Sequence, residues 1–302
     1  MSSLVSIAML AETLRIAAPY ACAAVGGVWA ERAGVVHIGL EGVLLVSAFA
    51  SVALAQASGS MALGLVGGVA LGVAVSALHA VLVDKARIDA VVSGIALNLL
   101  AFSATRLGLR GLYDSASNSP SIAGFRFGPT GTSGGDMLVR ALLDPVTLLA
   151  LAAIAASPFV LSETRFGLRV RAVGENPTAA FAAGVSVGRY RLGALAVSGA
   201  ICALGGVHLA FDQHRFESGM SGGRGFIALA AVVLSGWRPA RAAALCLAFG
   251  WLEALQIRMQ DASRGSTLAT LTQLVPYLAT IAVLALGLGR RGAPAGLGRH
   301  AD

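Results

Sequence analysis

Long apolar runs, parted by short clusters of charge, extend along the whole chain. Residues Met61–Val83 carry no ionisable group but His79, and Leu192–Ala210 none but His208. At 1.5 Å rise per residue, a helix of that length crosses a hydrocarbon core about 30 Å thick. Shorter runs repeat the plan at Ile16–Ala30, Gly42–Leu54, Ala90–Ala104, Pro145–Leu161, Ala242–Leu252 and Leu271–Leu288. With Phe226–Gly236 included, the reading is about nine crossings, within about eight to ten. Strand-type alternation is absent, so the expected fold is an all-α, polytopic transmembrane helical bundle forming a single domain over 1–302, not a barrel.

Two glycine-punctuated segments interrupt this plan, Glu31–Gly42 (ERAGVVHIGLEG) and Glu217–Gly225 (ESGMSGGRG). By the order of crossings they open on opposite faces, as broken helices in an inverted repeat would. In the third run Gly64, Gly68, Gly72, Ser76 and Ala80 recur every fourth residue, aligning small side chains on one face and predicting close helix contact.

Composition fixes the solvent. The 302 residues are 56% hydrophobic and 12% charged, and the mean hydropathy of +0.78 leaves too little charge to cover a water-soluble surface. The net charge of +7 sits mostly between spans, which fits positive-inside topology and removes the reason to expect nucleic acid as a partner. Arg165, Arg169, Arg171, Arg189 and Arg191 mark one cytoplasmic segment, and Arg290, Arg291 and Arg299 another. Propagating those sides places the C-terminus in the cytoplasm, the N-terminus outside, and the Ser-, Gly- and Pro-rich stretch 109–143 outside as a loop, either a tether or a lip that meets a delivered solute. Cys22, Cys202 and Cys246 all lie in apolar runs and read as small packing residues.

No H-E-x-x-H, C-x-x-C, G-x-S-x-G or P-loop pattern occurs, so neither catalytic residues nor a metal site is expected, and any ATP must be hydrolysed elsewhere. The basic segment 164–191 carries the most informative local pattern. Asn176 suits an N-cap, Pro177 the first helical position and Gly184 the position after the end, predicting a short helix Pro177–Ala183. Its residues are small and uncharged apart from Phe181, which suits docking into a groove on another protein or lying on the membrane surface. Polar groups within spans are costly unless they face a cavity or a partner. His37 and Glu41 in the first broken segment, Ser93 and Asn98 in the fourth crossing, and Glu253 and Gln256 in the eighth are candidates for lining a path or for interhelical hydrogen bonds. Glu12 and Arg15, three residues apart, are expected to pair with each other.

Taken in order, Glu31–Gly42, Ala90–Leu100 (AVVSGIALNLL), Thr164–Ala183 (TRFGLRVRAVGENPTAAFAA), Gly222–Trp237 (GGRGFIALAAVVLSGW) and Leu274–Leu288 resemble the inner-membrane permeases of ABC importers for branched-chain amino acids, simple sugars and nucleosides. The match is closest to the nucleoside-type branch. The resemblance implies two permease subunits around one path, usually two different ones, an ABC ATPase pair that uses ATP and Mg beneath, and an extracytoplasmic solute-binding protein. It implies location in a bacterial inner membrane, and alternating access as the mechanism. It also implies that Gly174, Glu175, Asn176, Pro177 and Phe181 belong to a coupling helix received by the ATPase. His37 departs from the asparagine more often found in nucleoside-type relatives, and a sugar, branched-chain amino acid or vitamin fits the same architecture. An ion-coupled secondary transporter using Glu41 and Glu253 is the contrasting reading.

Overall fold

The computed structural model describes residues 6–125, 128, 131, 133–262 and 292–298. Among them run eleven helices: α1 Ile7–Arg32, α2 Leu40–Ser58, α3 Met61–Asp84, α4 Ala90–Tyr113, α5 Gly134–Leu143, α6 Pro145–Glu163, α7 Arg165–Glu175, α8 Pro177–Ala182, α9 Val187–Asp212, α10 Arg224–Leu234 and α11 Pro239–Ala262. Seven of these, α1, α2, α3, α4, α6, α9 and α11, are long and apolar enough to cross a membrane. The expected crossing at Leu271–Leu288 and the arginines at 290, 291 and 299 lie outside the described residues.

Side chains close the helix ends. Ser60, Asp89, Asp144 and Asn176 accept from backbone N–H groups of α3, α4, α6 and α8, satisfying donors a first turn leaves unpaired. Between α4 and α6 the chain is not all loop. Residues up to Tyr113 continue α4, and Ser133 caps α5 by accepting from the Asp136 N–H, so α4 and α5 take up both ends of the stretch 109–143. Glu12 and Arg15 do not pair. Arg15 bonds Asp212 at 2.7 Å and Glu12 bonds Arg258 at 2.8 Å, because partners on α9 and α11 stand directly across from α1.

Two faces can be told apart by their contacts. On one, the face carrying α7 and α8, Arg32 meets Glu175, and Arg191, with 1% of its side chain exposed, meets Asp84 at 2.8 Å. On the opposite face Arg15 meets Asp212, Gln56 reaches the carbonyl of Pro120, and Ser119 bonds Phe216. α1 runs from the second face to the first and α9 runs back, each over 26 residues.

These two helices run in opposite directions and share a local pattern. Cys22-Ala-Ala-Val-Gly-Gly-Val28 in α1 answers Cys202-Ala-Leu-Gly-Gly-Val207 in α9. Their glycines let the backbones touch: a Cβ on Gly26 would lie 2.7 Å from the Ser198 carbonyl, and one on Gly205 would lie 2.9 Å from Cys22 Cβ. α1 packs on α11 as α9 packs on α3, and α10 lies against α1 as α2 lies against α9. The four-residue stripe of α3 does what its spacing predicts. Gly68 sits against Ser47, Ser51 and Val207, and Gly72 against Ala203, wedging α3 between α2 and α9.

Candidate functional site

Both glycine-punctuated segments are breaks, and their helix ends meet. After α1 the chain turns at Gly34 (φ +87°) and re-enters as 33–39 before α2 begins. The thiol of Cys202 lies 3.5 Å from the carbonyl of Leu40. Cys202 falls roughly midway between Arg191 and Asp212 along α9, so α2 starts at about half the depth of the bundle, about 15 Å from either end. After α9 the chain returns through Gly219, Gly222 and Gly223, all at positive φ, and α10 starts at Arg224. At eleven residues, α10 is about 16 Å long. The expected full crossing at Phe226–Gly236 is therefore corrected to a half-helix, because the glycine turn delivers its first residue to mid-depth.

Glu41, in the first turn of α2, joins the two ends. Its carboxylate accepts from the N–H of Gly223 and of Gly225, both at 2.7 Å. The first N–H groups of a helix carry partial positive charge and lack partners of their own. A carboxylate at this depth is thus satisfied by two amides of a neighbouring helix start. Gly225 has no room for a side chain, since a Cβ would lie 2.5 Å from the Glu41 nitrogen.

Five polar side chains hold the first break. His37 and His79 stack with centroids 4.8 Å apart. His37 Nε2 lies 3.2 Å from Ser76 Oγ, His79 Nδ1 2.9 Å from Ser93 Oγ, and His79 Nε2 3.0 Å from the Val36 carbonyl. Asn98 donates to the carbonyl of Ile38 and accepts from the Gly42 N–H, pinning the end of the bend and the first turn of α2 to α4. Glu253 stands elsewhere, beside the second break. It accepts from Tyr20 Oη at 2.7 Å and pairs with Arg224 at 3.2 Å. Gln256 is half-buried on the same helix. The six expected path residues therefore gather in two groups, with Glu41 between them.

Sequence reading missed Arg224, His79 and Tyr20. Arg224 was visible as a lone cation following two glycines in an apolar stretch. The histidine and tyrosine carry no such signal, because either residue also serves as plain core.

The basic segment folds as its caps predict, one residue shorter. Asn176 Oδ1 accepts from the Ala179 N–H at 3.0 Å, α8 ends at Ala182, and Gly184 takes φ +79°. Phe181 is 67% exposed, whereas Ala180 packs with Val173 and Val187. Gly174 lies against the backbone of Arg32, and Glu175 sits 3.6 Å from the Arg32 guanidinium. Arg32 donates to the carbonyl of Trp237, whose indole donates to Glu31 at 2.5 Å. The segment 292–298 crosses this corner. Gly296 donates to the Gly174 carbonyl, Gly298 to the Gly34 carbonyl, both at 2.9 Å, and Ala295 to Glu175.

A family model described as branched-chain amino acid transport system / permease component matches residues 9–284. The chain belongs to this permease family. Among relatives, the permease is 36% identical over 294 residues to the guanosine ABC transporter permease protein NupQ of Bacillus subtilis, covering 93% of this chain and 92% of the relative. It is 34% identical to the nucleoside ABC transporter permease protein NupC of Lactococcus lactis, over 95% and 94% of the two chains. It is also 34% identical to the putative glucose ABC transporter permease protein TsgC13 of Haloferax volcanii, over 93% and 92%. The permease is thus a multi-pass membrane protein of the class its motifs resemble.

Proposed function

We propose that the permease is the membrane subunit of an ATP-binding cassette importer that moves a nucleoside or nucleobase into the cytoplasm by alternating access. The observation that carries this reading is identity of 34–36% to guanosine and nucleoside permeases along nearly the whole chain. The mid-depth junction of two broken segments supports it, since broken helices at matching places in inverted halves accompany a transport path. In this reading a partner ATPase hydrolyses ATP, and the permease makes and breaks no covalent bonds. Closure of the ATPase pair pushes on Phe181 and the α8 segment. Gly174 and Glu175 pass the movement to Arg32, and through Arg32 to the Trp237 turn at the end of α10. His37, Ser93 and Asn98 hold the first break during that movement, while Glu41, Glu253 and Gln256 border the path. A second homologous permease, a heterodimer partner or a copy, closes the other half of the path. A solute-binding protein delivers solute at the face carrying Ser119 and Pro120, which is the outer face, with the N-terminus outside and C-terminus in the cytoplasm.

A sugar is the second reading, favoured by the similarity to the glucose permease. The two separate in an ATPase assay on the assembled transporter. Binding protein loaded with guanosine is expected to stimulate ATP hydrolysis above the unloaded protein. Stimulation by glucose and not by guanosine would assign the permease to sugars.

A further inference from the structure

We propose that Arg224, held in place by Glu253, is the hydrogen-bond donor in the translocation path that engages the passing solute. This rests on the permease reading above, but not on which neutral solute is carried. Arg224 opens α10, whose first turn touches Glu41 and so lies at about mid-depth. The pair is neither sealed nor free: the side chains of Arg224 and Glu253 are 20% and 23% exposed. An exposed charge at that depth is strongly unfavourable against lipid, so it faces water or further protein. Large apolar side chains are exposed on α3 and α4 and also beside the pair, at Phe226, Trp251 and Ile257. α3 exposes Leu63, Val66 and Leu78, and α4 exposes Val92, Leu99 and Leu100.

The guanidinium is also incompletely used. Nη1 donates to the carbonyls of Met220 and Ser221, Nη2 meets Glu253, and the ring of Tyr20 lies 5.6 Å beneath. Nε is buried and has no hydrogen-bond partner among the described residues. A buried unpaired donor is costly, and a small rotation of the glycine-flanked turn would offer it to an acceptor in the path. Met220 and Ser221 belong to the same turn that carries Gly219, Gly222 and Gly223 at positive φ, so the arginine and its anchoring carbonyls can move as one unit. Charge is balanced locally. Glu253 offsets the guanidinium, and the amides of Gly223 and Gly225 answer Glu41. The path therefore presents directional donors without an unmatched cation, which suits a neutral solute rich in acceptors. A planar fork of N–H donors also matches a base edge with adjacent carbonyl and ring-nitrogen acceptors.

The test uses the transporter assembled from permease, partner permease, ATPase and binding protein in liposomes. Arg224→Cys is expected to react with a membrane-impermeant cationic thiol reagent, against a parent whose three cysteines are buried. Arg224→Gln is expected to lower kcat/KM for labelled guanosine about tenfold or more, as loss of a hydrogen bond from a charged donor would, with Arg224→Lys restoring part of it. Absence of thiol reaction, or full uptake by Arg224→Gln, would overturn the proposal. So would failure of both Arg224→Gln and Arg224→Lys to assemble on gel filtration, which would assign the pair to holding the fold. If the parent carries glucose and not guanosine, and Arg224→Gln slows glucose uptake, the path role stands and the nucleoside reading falls.

Discussion

At the scale of single residues, Glu41 is the group on which the two breaks depend. Both carboxylate oxygens accept from backbone N–H donors of the α10 start. In Glu41→Gln one oxygen becomes an amide nitrogen, and a donor then faces a donor inside the bundle. A buried unmade hydrogen bond costs about 1–3 kcal/mol, so Glu41→Gln should lower the melting temperature of the purified permease in detergent. An unchanged melting temperature would show that the junction does not depend on that carboxylate. Glu41 was legible in the sequence as a carboxylate beside a broken segment, but its partners were not. They are backbone amides of residues 223 and 225, and backbone groups leave no mark on a side-chain pattern. Glu12 and Arg15 illustrate the same limit, since local spacing favoured a pair that the facing helices α9 and α11 replace.

At the scale of elements, what could be read depended on whether the signal was local. α8 was legible because Asn176, Pro177 and Gly184 each fix a backbone position within a few bonds. α10 was misjudged because an apolar run reports burial in lipid and not depth of entry. The glycines before it bring the chain in halfway, and this is a property of turn geometry. α5 was hidden in a polar stretch, although Ser133 and Asp136 mark its start. The exposed Phe181 gives the sharpest element-scale test. Because that side chain is 67% exposed, Phe181→Asp should leave the permease folded and with an unchanged melting temperature, yet abolish co-purification of the ATPase. Retained co-purification with retained uptake would move the docking site away from α8.

At the scale of the whole molecule, the halves meet along α1 and α9, and the segment 292–298 ties the corner where the end of α1 meets α7 and α8. Gly296 is packed on the junction of α7 and α8, where a Cβ would lie 2.7 Å from the Gly174 carbonyl and 2.9 Å from Pro177 Cδ. Gly296→Val should therefore release the segment 292–298 and make it a faster target for limited proteolysis, with the rest of the chain intact. Equal cleavage of parent and variant would mean that the segment does not strap this corner in solution. The membrane bundle and the class of permease were legible from run lengths and motif order, because lipid imposes both on the sequence. The pairing of halves was not, because six or seven similar residues in α1 and α9 gain meaning only once they are seen to touch. The central claim is that this assembly drives a nucleoside inward at the expense of ATP. Uptake of labelled guanosine into liposomes holding the assembled transporter measures it directly. The account predicts accumulation that requires ATP and binding protein together, and uptake that persists undiminished without ATP would contradict it.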